Sequence, residues 1–248
     1  MDLGTRDIML KKKTKNQIQN VDKVQKIGSE LDFSAAEAYN LLRTNLSFAF
    51  PGKTNGKLIG ITSASPAEGK SYTAVNLSYA LAKDGKRVLL IDADMRKPSI
   101  AEKLHLKFAP GLSNLLVDQQ GTFIHEKVLH DNMSVLTSGD VPPNPSELLG
   151  SEEMRRNLEK FADQYDYVIV DMPPVMEVPD PLIIAKNLDG MVVVVMHEHA
   201  YRSDIKETVR KLQFVNARIL GFVYNGYSAF SKRGYYKKYS KHYYAKKQ

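Results

Sequence analysis

The sequence lacks several features that would otherwise direct its interpretation. None of its 248 residues is cysteine or tryptophan, and the absence of cysteine excludes disulfide bonds, thiolate zinc sites and a cysteine nucleophile. Residues 1–20 carry basic side chains but no apolar core, so they do not form a signal peptide. The apolar runs are far shorter than the ~20 residues of a membrane-spanning helix. We therefore expect a cytoplasmic protein that reaches a membrane only peripherally.

Acidic residues are also missing from the C-terminal part of the chain. None follows Glu207, whereas ten lysines and arginines do, and the formal net charge is +7. A basic terminus can bind nucleic acid, anionic lipid or an acidic protein surface, and it can equally be a solvated tail. Charge alone therefore leaves the partner of this end open.

Strand and helix patterns alternate through most of the sequence. Apolar runs such as 88–91 have no polar face, which is typical of strands buried on both faces of a parallel sheet. The alternation predicts an α/β domain with a doubly wound, mostly parallel sheet at 31–226, between a flexible arm at 1–30 and a tail at 227–248. The predicted strands are 58–62, 87–92, 133–137, 167–171, 191–196 and 218–224. The predicted helices are 34–50, 71–83, 146–165 and 203–215, with Ser34 and Ser146 as caps.

A phosphate-binding loop is predicted at residues 64–71, ASPAEGKS, between a strand and a helix. It matches G-x-x-x-x-G-K-[ST] except that Ala64 replaces the first glycine, which is acceptable if its φ is negative. Gly69 lets the backbone approach a phosphate, Lys70 reaches the β- and γ-phosphates, and Ser71 can bind Mg²⁺. We expect the Lys70 side chain to face solvent. The predicted nucleotide-binding residues of this P-loop NTPase fold are Ala67, Glu68, Gly69, Lys70, Ser71 and Tyr72.

Carboxylates end two of the predicted buried strands. Asp92 and Asp94 follow one strand, and Asp171 ends another. Ligands of parallel α/β sheets bind beyond the carboxyl ends of the strands, so we expect all three acids to face the phosphate loop. An apolar run that ends in aspartate also suits the acid that orients water on Mg²⁺. The predicted metal ligands are Ser71, Asp94 and Asp171.

Three segments together resemble one known family: SPAEGKS at 65–71, LIDADMRKP at 90–98 and VDMPP at 170–174. They look like the Walker motifs, including the additional A-prime motif, of the bacterial tyrosine kinases of capsule and exopolysaccharide systems. Residues 139–149, which include PPNPSELL, are also similar to that family, and the resemblance covers roughly residues 30–248. The family's autophosphorylation cluster is matched by Tyr227, Tyr235, Tyr236, Tyr239, Tyr243 and Tyr244.

The resemblance implies a kinase that uses ATP and Mg²⁺ to phosphorylate its own tail tyrosines in trans and that regulates polysaccharide synthesis and export. It also implies a membrane adaptor as activator, a cognate tyrosine phosphatase, a position at the inner face of the cell membrane through the adaptor, and no nucleic-acid partner. Family members assemble into rings through E-x-x-R-x-x-R on an early helix. Here Glu37 and Arg43 match this motif, but Asn40 replaces its first arginine.

The mechanism that this resemblance implies assigns one role to each catalytic residue. Lys70 would hold the phosphates, while Asp94 and Asp171 would hold the water shell of the metal. A phenol with a pKa near 10 must lose its proton either to a neighbouring base or to a developing phosphate oxygen, and we assign Asp92 as that base. Asn225, after the last strand, could contact the adenine edge or could be an ordinary turn residue before Gly226.

Two other functions fit parts of the sequence. An ATPase switch of the chromosome-partitioning or division-site group shares the fold and the acidic strands, but those proteins carry a second lysine where this chain has Ser65. A nucleic-acid-binding module could use the basic ends and stack bases on the tail tyrosines. Neither alternative explains the motifs and the tyrosine tail together, so the kinase interpretation is favoured.

Overall fold

The structure is a computed structural model that describes residues 26–118 and 123–226. Seven strands and eight α-helices lie in these ranges. The strands are β1 (Lys57–Ser63), β2 (Val88–Asp92), β3 (Ile124–His125), β4 (Met133–Leu136), β5 (Tyr167–Asp171), β6 (Gly190–Met196) and β7 (Ile219–Asn225). The helices are α1 (Phe33–Phe48), α2 (Lys70–Lys83), α3 (Ile100–Lys103), α4 (Leu112–Val117), α5 (Pro145–Leu149), α6 (Glu152–Gln164), α7 (Asp180–Ile184) and α8 (Arg202–Phe214).

The strands form one sheet in the order β3-β4-β2-β5-β1-β6-β7. All neighbouring pairs are parallel except β3 and β4, which pair antiparallel at one edge. The prediction of a doubly wound, mostly parallel sheet is therefore confirmed. Since β1, β2 and β5 lie side by side, the three segments that follow them meet at one edge of the sheet.

Helices cover both faces of the sheet, as the unbroken apolar runs predict. Along β2, Leu89 and Ile91 belong to one core with residues of α6, whereas Val88 and Leu90 belong to the core on the other face, with residues of α2. Leu77 on α2 is fully buried in this second core. Truncating such a leucine to alanine typically costs about 2–5 kcal/mol, so this packing fixes α2, and with it the phosphate loop, against the sheet.

Two helix starts differ from the prediction. Asp32, and not Ser34, caps α1, because its carboxylate accepts a hydrogen bond from the Ala35 amide. The helix predicted at 146–165 is two helices, α5 and α6, which Gly150 separates. Ser151 caps α6 by accepting a hydrogen bond from the Met154 amide. Ser146, which we predicted as the cap, lies instead within α5.

The ends of the chain lie largely outside the described residues, which exclude the predicted tail and residues 1–25 of the predicted arm. The last arm residues, Gly28–Glu30, form a single 3₁₀ turn. The amide of Gly28 donates a hydrogen bond to Asn76 on α2. Among the helices within the described ranges, none is both long and apolar enough to cross a membrane.

Candidate active site

The phosphate loop connects β1 to the first turn of α2. Gly69 precedes this helix with φ near 88°, a conformation that glycine adopts without steric cost. A Cβ atom at this position would lie 2.0 Å from the Asn225 Nδ2 atom, so the close approach also requires glycine. Ala64 is not among the residues with positive φ, whereas Ala67 is, at 62°. The substitution at the first glycine position therefore leaves the loop unstrained there.

Five of the six loop residues predicted to bind nucleotide line one pocket of about 420 Å³ beside the loop. Glu68 does not line it, because its buried carboxylate turns back and accepts a hydrogen bond from the Ala64 amide. Residues after β2 and β5 form the other walls. The lining residues are Pro66, Ala67, Gly69, Lys70, Ser71, Tyr72, Asp94, Arg96, Lys97, Ser99, Lys103, Pro173, Pro174, Glu177 and Val178.

Lys70 does not face solvent as predicted, since its side chain is only 12% exposed. Its Nζ atom lies 2.9 Å from an Asp94 oxygen and 3.9 Å from an Asp171 oxygen. Burial alone would lower the pKa of Lys70, but the carboxylates of Asp171 and Asp94 raise it above its ordinary value. The ammonium is therefore charged and is held at the carboxyl ends of β2 and β5.

Asp171, at the end of β5, is fully buried, and both its carboxylate oxygens lack a hydrogen-bond partner among the described residues. Burial raises the pKa of Asp171, while the charge of Lys70 opposes this shift. Buried polar atoms without partners are costly and therefore indicate a missing ligand. Two carboxylates and the Ser71 hydroxyl suit Mg²⁺, which prefers oxygen ligands and retains waters and substrate phosphates.

The predicted metal ligands have little support from other acidic or histidine side chains. Within the described residues, no group of three or more histidine, cysteine, aspartate or glutamate side chains could hold a metal ion alone.

Asp92 lies beside Asp171 in the sheet register, and neither of these two buried carboxylates lines the pocket, whereas Asp94 does. One oxygen accepts a hydrogen bond from the Asp94 amide, and the other accepts from the amides of Ser99 and Ile100. Burial, followed by the negative charge of Asp171, raises the pKa of Asp92 to about 7. These three hydrogen bonds order the segment after β2, and the role of Asp92 as the base stays a prediction.

An ion pair between half-exposed Arg96 and buried Asp180, which the sequence analysis missed, fixes Arg96 at the pocket wall. The Nε atom of Arg96 lies 2.8 Å from an oxygen of Asp180, a residue that is fully buried at the start of α7. The Ser146 hydroxyl donates a hydrogen bond to Asp180 at 2.6 Å and accepts one from Arg96 at 3.0 Å. The family-like segment 139–149 therefore contacts the A-prime segment. The acidic residue beside Pro181 gave no signal of this role in the sequence.

Asn225 contacts the phosphate loop from the opposite side. Its Nδ2 atom donates a hydrogen bond to the Glu68 carbonyl at 3.1 Å, and its Oδ1 atom accepts one from the Gly226 amide. Both ends of the amide are therefore engaged within the chain, and the side chain supports the loop. The hydrogen bond to Gly226 fits the predicted turn role of Asn225, and its contact with adenine stays a prediction.

Of the residues predicted for assembly and modification, only the two assembly residues, Glu37 and Arg43, lie in the described part of the chain. Glu37 accepts a hydrogen bond from Asn40 on α1. Arg43 forms an ion pair with Asp84 at the end of α2, with 3.1 Å between Nη1 and Oδ1, so its guanidinium is engaged within its own chain. All six predicted acceptor tyrosines lie outside the described residues.

Comparison with known proteins places this geometry in a family. The family model described as an AAA domain matches residues 56–220. The chain is 38% identical to the tyrosine-protein kinase YwqD of Bacillus subtilis over 206 residues, which are 81% of this chain and 86% of YwqD. It is 36% identical to the putative tyrosine-protein kinase EpsB of Ralstonia solanacearum over 86% of this chain, but spans only 28% of EpsB.

Solved structures agree with the sequence relatives. The kinase domain of the Escherichia coli tyrosine kinase ETK matches with a TM-score of 0.76 and 30% identity, over 88% of this chain and 87% of that domain. The chimerical protein CapA2B2 matches with a TM-score of 0.71 and 35% identity, over 76% and 83% of the two chains. An ATP complex of Cyanothece McdA, at 21% identity and a TM-score of 0.55, shows a shared fold only. The chain belongs to the family of bacterial tyrosine kinases.

Proposed function

We propose that this chain transfers the γ-phosphoryl group of ATP to tyrosine hydroxyls, first of all those of its own C-terminal tail. The observation that carries this proposal is the contact of Lys70 with the carboxylates of Asp94 and Asp171 directly beside the phosphate loop. Phosphoryl transfer passes through a loose transition state, so catalysis depends on positioning and on charge neutralisation. A charged lysine and two carboxylates at a helix N-terminus supply both.

In this proposal, different groups of the site bind the phosphates and the magnesium ion. The loop amides and the N-terminus of α2 bind phosphate oxygens, and Lys70 leaves its carboxylate partners to contact them. Ser71, Asp94 and Asp171 would hold Mg²⁺, which when bound neutralises charge on the phosphates. Asp92 holds the segment after β2 in place, because three backbone amides donate hydrogen bonds to it.

The enclosed position of Asp92 also bears on the proton of the acceptor tyrosine. Of the strand-end carboxylates, Asp94 and Asp171 would be engaged with Mg²⁺, and Asp92 does not line the pocket. We therefore assign the proton to a phosphate oxygen and treat Asp92 as a positioning residue. Its contribution to rate comes through the placement of Asp94, whose amide it binds directly.

In this proposal the tail of one chain supplies the acceptor tyrosines, and a neighbouring copy of the chain supplies the active site. Six tyrosines lie between residues 227 and 244, close in sequence to Asn225 beside the loop. We propose that phosphorylation occurs in trans within a homo-oligomer, a ring built with Glu37 and Arg43. The ion pair of Arg43 with Asp84 must then open or be shared at the subunit contact.

The cellular setting follows from the family. We propose that a membrane adaptor binds and activates the kinase at the inner face of the membrane, that a phosphatase reverses the modification, and that the pair regulates capsular or exopolysaccharide synthesis and export. The chain spans 86% of YwqD but only 28% of EpsB.

Deletion of residues 227–248 tests the role of the tail. The truncated kinase should lose nearly all self-phosphorylation, yet should label a full-length Lys70→Met chain, which has acceptors but no activity. A truncated protein that still labels itself fully would show that the tail is not the substrate. A truncated protein that labels neither itself nor the Lys70→Met chain would contradict transfer in trans.

A further inference from the structure

The pocket beside the phosphate loop contains more positive charge than the transfer reaction uses. Of its four cationic side chains, Lys70 is paired with Asp94, and Arg96 is paired with Asp180. Lys97 and Lys103 form no ion pair with any carboxylate in the part of the chain that the structure describes. Two cations in the pocket wall are therefore available for a ligand.

These two lysines are attached to the catalytic residues through short connections. The Lys97 amide donates a hydrogen bond to an Asp94 oxygen. Helix α3, which ends in Lys103, starts where Asp92 accepts from the Ile100 amide. The Lys103 Nζ atom lies 4.8 Å from the ring centroid of Tyr72, the residue directly after Ser71. Such a cation–π contact holds the ammonium near the loop without neutralising it.

The two lysines follow β2 and line the pocket on the side of the loop where we place the acceptor tyrosine. Strands β2 and β5 flank β1 on this side, whereas Asn225 and His199 contact the loop from the side of β6 and β7. Glu177 is the acidic residue of the opposite pocket wall, after β5. Asp94 also lines the pocket but is paired with Lys70, so the two unpaired lysines outnumber Glu177, and this part of the pocket favours an anion.

The tail can bring only one kind of anion to this side. No aspartate or glutamate follows Glu207, so an unmodified tail is purely basic. Each phosphotyrosine adds about −1.5 to −2 charges and three strong acceptor oxygens, which are the preferred partners of lysine ammonium groups. Tyrosines 235 and 236, and 243 and 244, are adjacent in sequence, so a product and a new acceptor occur side by side.

We propose that Lys97 and Lys103 bind a phosphotyrosine close to the acceptor tyrosine, so that each phosphorylation of the tail promotes the next. The inference rests on the proposed kinase function. In each transfer the bond from the γ-phosphorus to the bridging oxygen of ADP breaks, the bond from tyrosine Oη to phosphorus forms, and the phenolic proton passes to a phosphate oxygen. The first transfer is slow because the basic tail is repelled by the same lysines.

Three synthetic peptides of residues 231–241 test the preference with the full-length kinase. Tyr236 is the only acceptor in each peptide. The first peptide has phenylalanine at both 235 and 239, the second has phosphotyrosine at 235 and phenylalanine at 239, and the third has phenylalanine at 235 and phosphotyrosine at 239. We expect kcat/KM for at least one phosphorylated peptide to exceed that of the unphosphorylated peptide about tenfold. The ratio should fall to about one in the double variant Lys97→Gln, Lys103→Gln. Lys160→Gln, on α6 outside the pocket, should keep the wild-type ratio.

The outcomes separate this inference from the function on which it rests. Labelling of the unphosphorylated peptide with no more than a threefold preference for either phosphorylated one overturns the inference and leaves the kinase function intact. A preference that survives in the double variant overturns it as well. So does a double variant that only raises KM for ATP, because the lysines would then serve the nucleotide. No labelling of any peptide contradicts the kinase function itself.

Discussion

The two sides of the phosphate loop differ in both burial and charge. On the side of β2 and β5 every strand residue is buried, and the strands end in aspartates. On the other side, the edge strand β7 has Phe222 and Tyr224 about half exposed and ends in an amide, Asn225. The buried side carries ionisable groups where burial is most costly, and the exposed side carries a neutral hydrogen-bonding group.

This contrast indicates where the chemistry is located. A buried carboxylate without full hydrogen bonding lowers stability, so Asp171 is poorly explained as a structural residue. Asn225, by comparison, has its hydrogen bonds satisfied within the chain. We therefore expect substitutions on the β2 and β5 side to abolish transfer, and substitutions on the β7 side to alter nucleotide binding mildly.

The largest effect is expected from Lys70→Met. It removes the charge beside the phosphates, and loss of one such preorganised donor typically lowers the rate about 10²–10³-fold. It also leaves Asp94 and Asp171 without their cation, so thermal stability should fall, which circular dichroism can follow. Lys83→Met, at the exposed end of the same helix, is the control. Comparable activity of the two variants in an assay with labelled ATP would refute the loop assignment.

The second largest loss is expected from Asp92→Asn. An amide cannot accept all three backbone hydrogen bonds, so Asp94 should shift, and displacement of a catalytic group by about 1 Å can cost 10²-fold. Protonation of Asp92 should weaken the same hydrogen bonds, so kcat/KM of the wild type should rise with pH near 7, and the variant should lose this rise. Wild-type activity in Asp92→Asn would contradict the positioning role.

The same variant should change the pH dependence of stability. Because the pKa of Asp92 is about 7 in the folded state and 3.8 as the reference value, the folded protein binds more protons between these pH values. The contribution of Asp92 to the unfolding free energy should therefore fall as pH rises from 4 to 7. In magnesium-free buffer, the melting temperature of Asp92→Asn relative to wild type should increase from pH 5 to 7.5. Exposed Asp131→Asn should show no such trend.

Much of the β2 and β5 side of the site could be predicted from the sequence, because parallel strands bring their carboxyl ends to one edge of the sheet. The apolar runs before Asp92 and Asp171 therefore placed both acids near the loop. Burial of Lys70 could not be predicted, since it depends on how two distant segments close over the lysine. The Asp180 contact likewise depends on long-range packing, and the break at Gly150 depends on local capping that a continuous helical pattern concealed.

A moderate effect is expected from Ser146→Ala, which removes one support of Arg96 in the pocket wall. We expect kcat/KM for a tyrosine peptide to fall about tenfold, roughly the value of one hydrogen bond to a charged pair, with KM for ATP unchanged. Ser151→Ala is a matched control that should cost about 1 kcal/mol of stability through its lost helix cap without affecting transfer. Equal kinetic losses in both variants would indicate a general folding defect.

The smallest effect is expected from Asn225→Ala on the β7 side. Loss of the hydrogen bond to the Glu68 carbonyl should loosen the loop and raise KM for ATP about three- to fivefold, the value of one neutral hydrogen bond. The turnover number should stay close to wild type. A loss as large as that of Asp92→Asn would contradict the division of the site into a chemical side and a supporting side.

The most direct test asks whether the site formed by Lys70 and the aspartates that follow β2 and β5 transfers the γ-phosphoryl group of ATP to tyrosine. Purified full-length protein should be incubated with labelled ATP and Mg²⁺, and phosphorylated residues mapped by mass spectrometry beside the Lys70→Met variant. We predict phosphotyrosine in residues 227–244 of the wild type and none in the variant. Release of ADP and phosphate without any phosphotyrosine would contradict the account and support an ATPase switch.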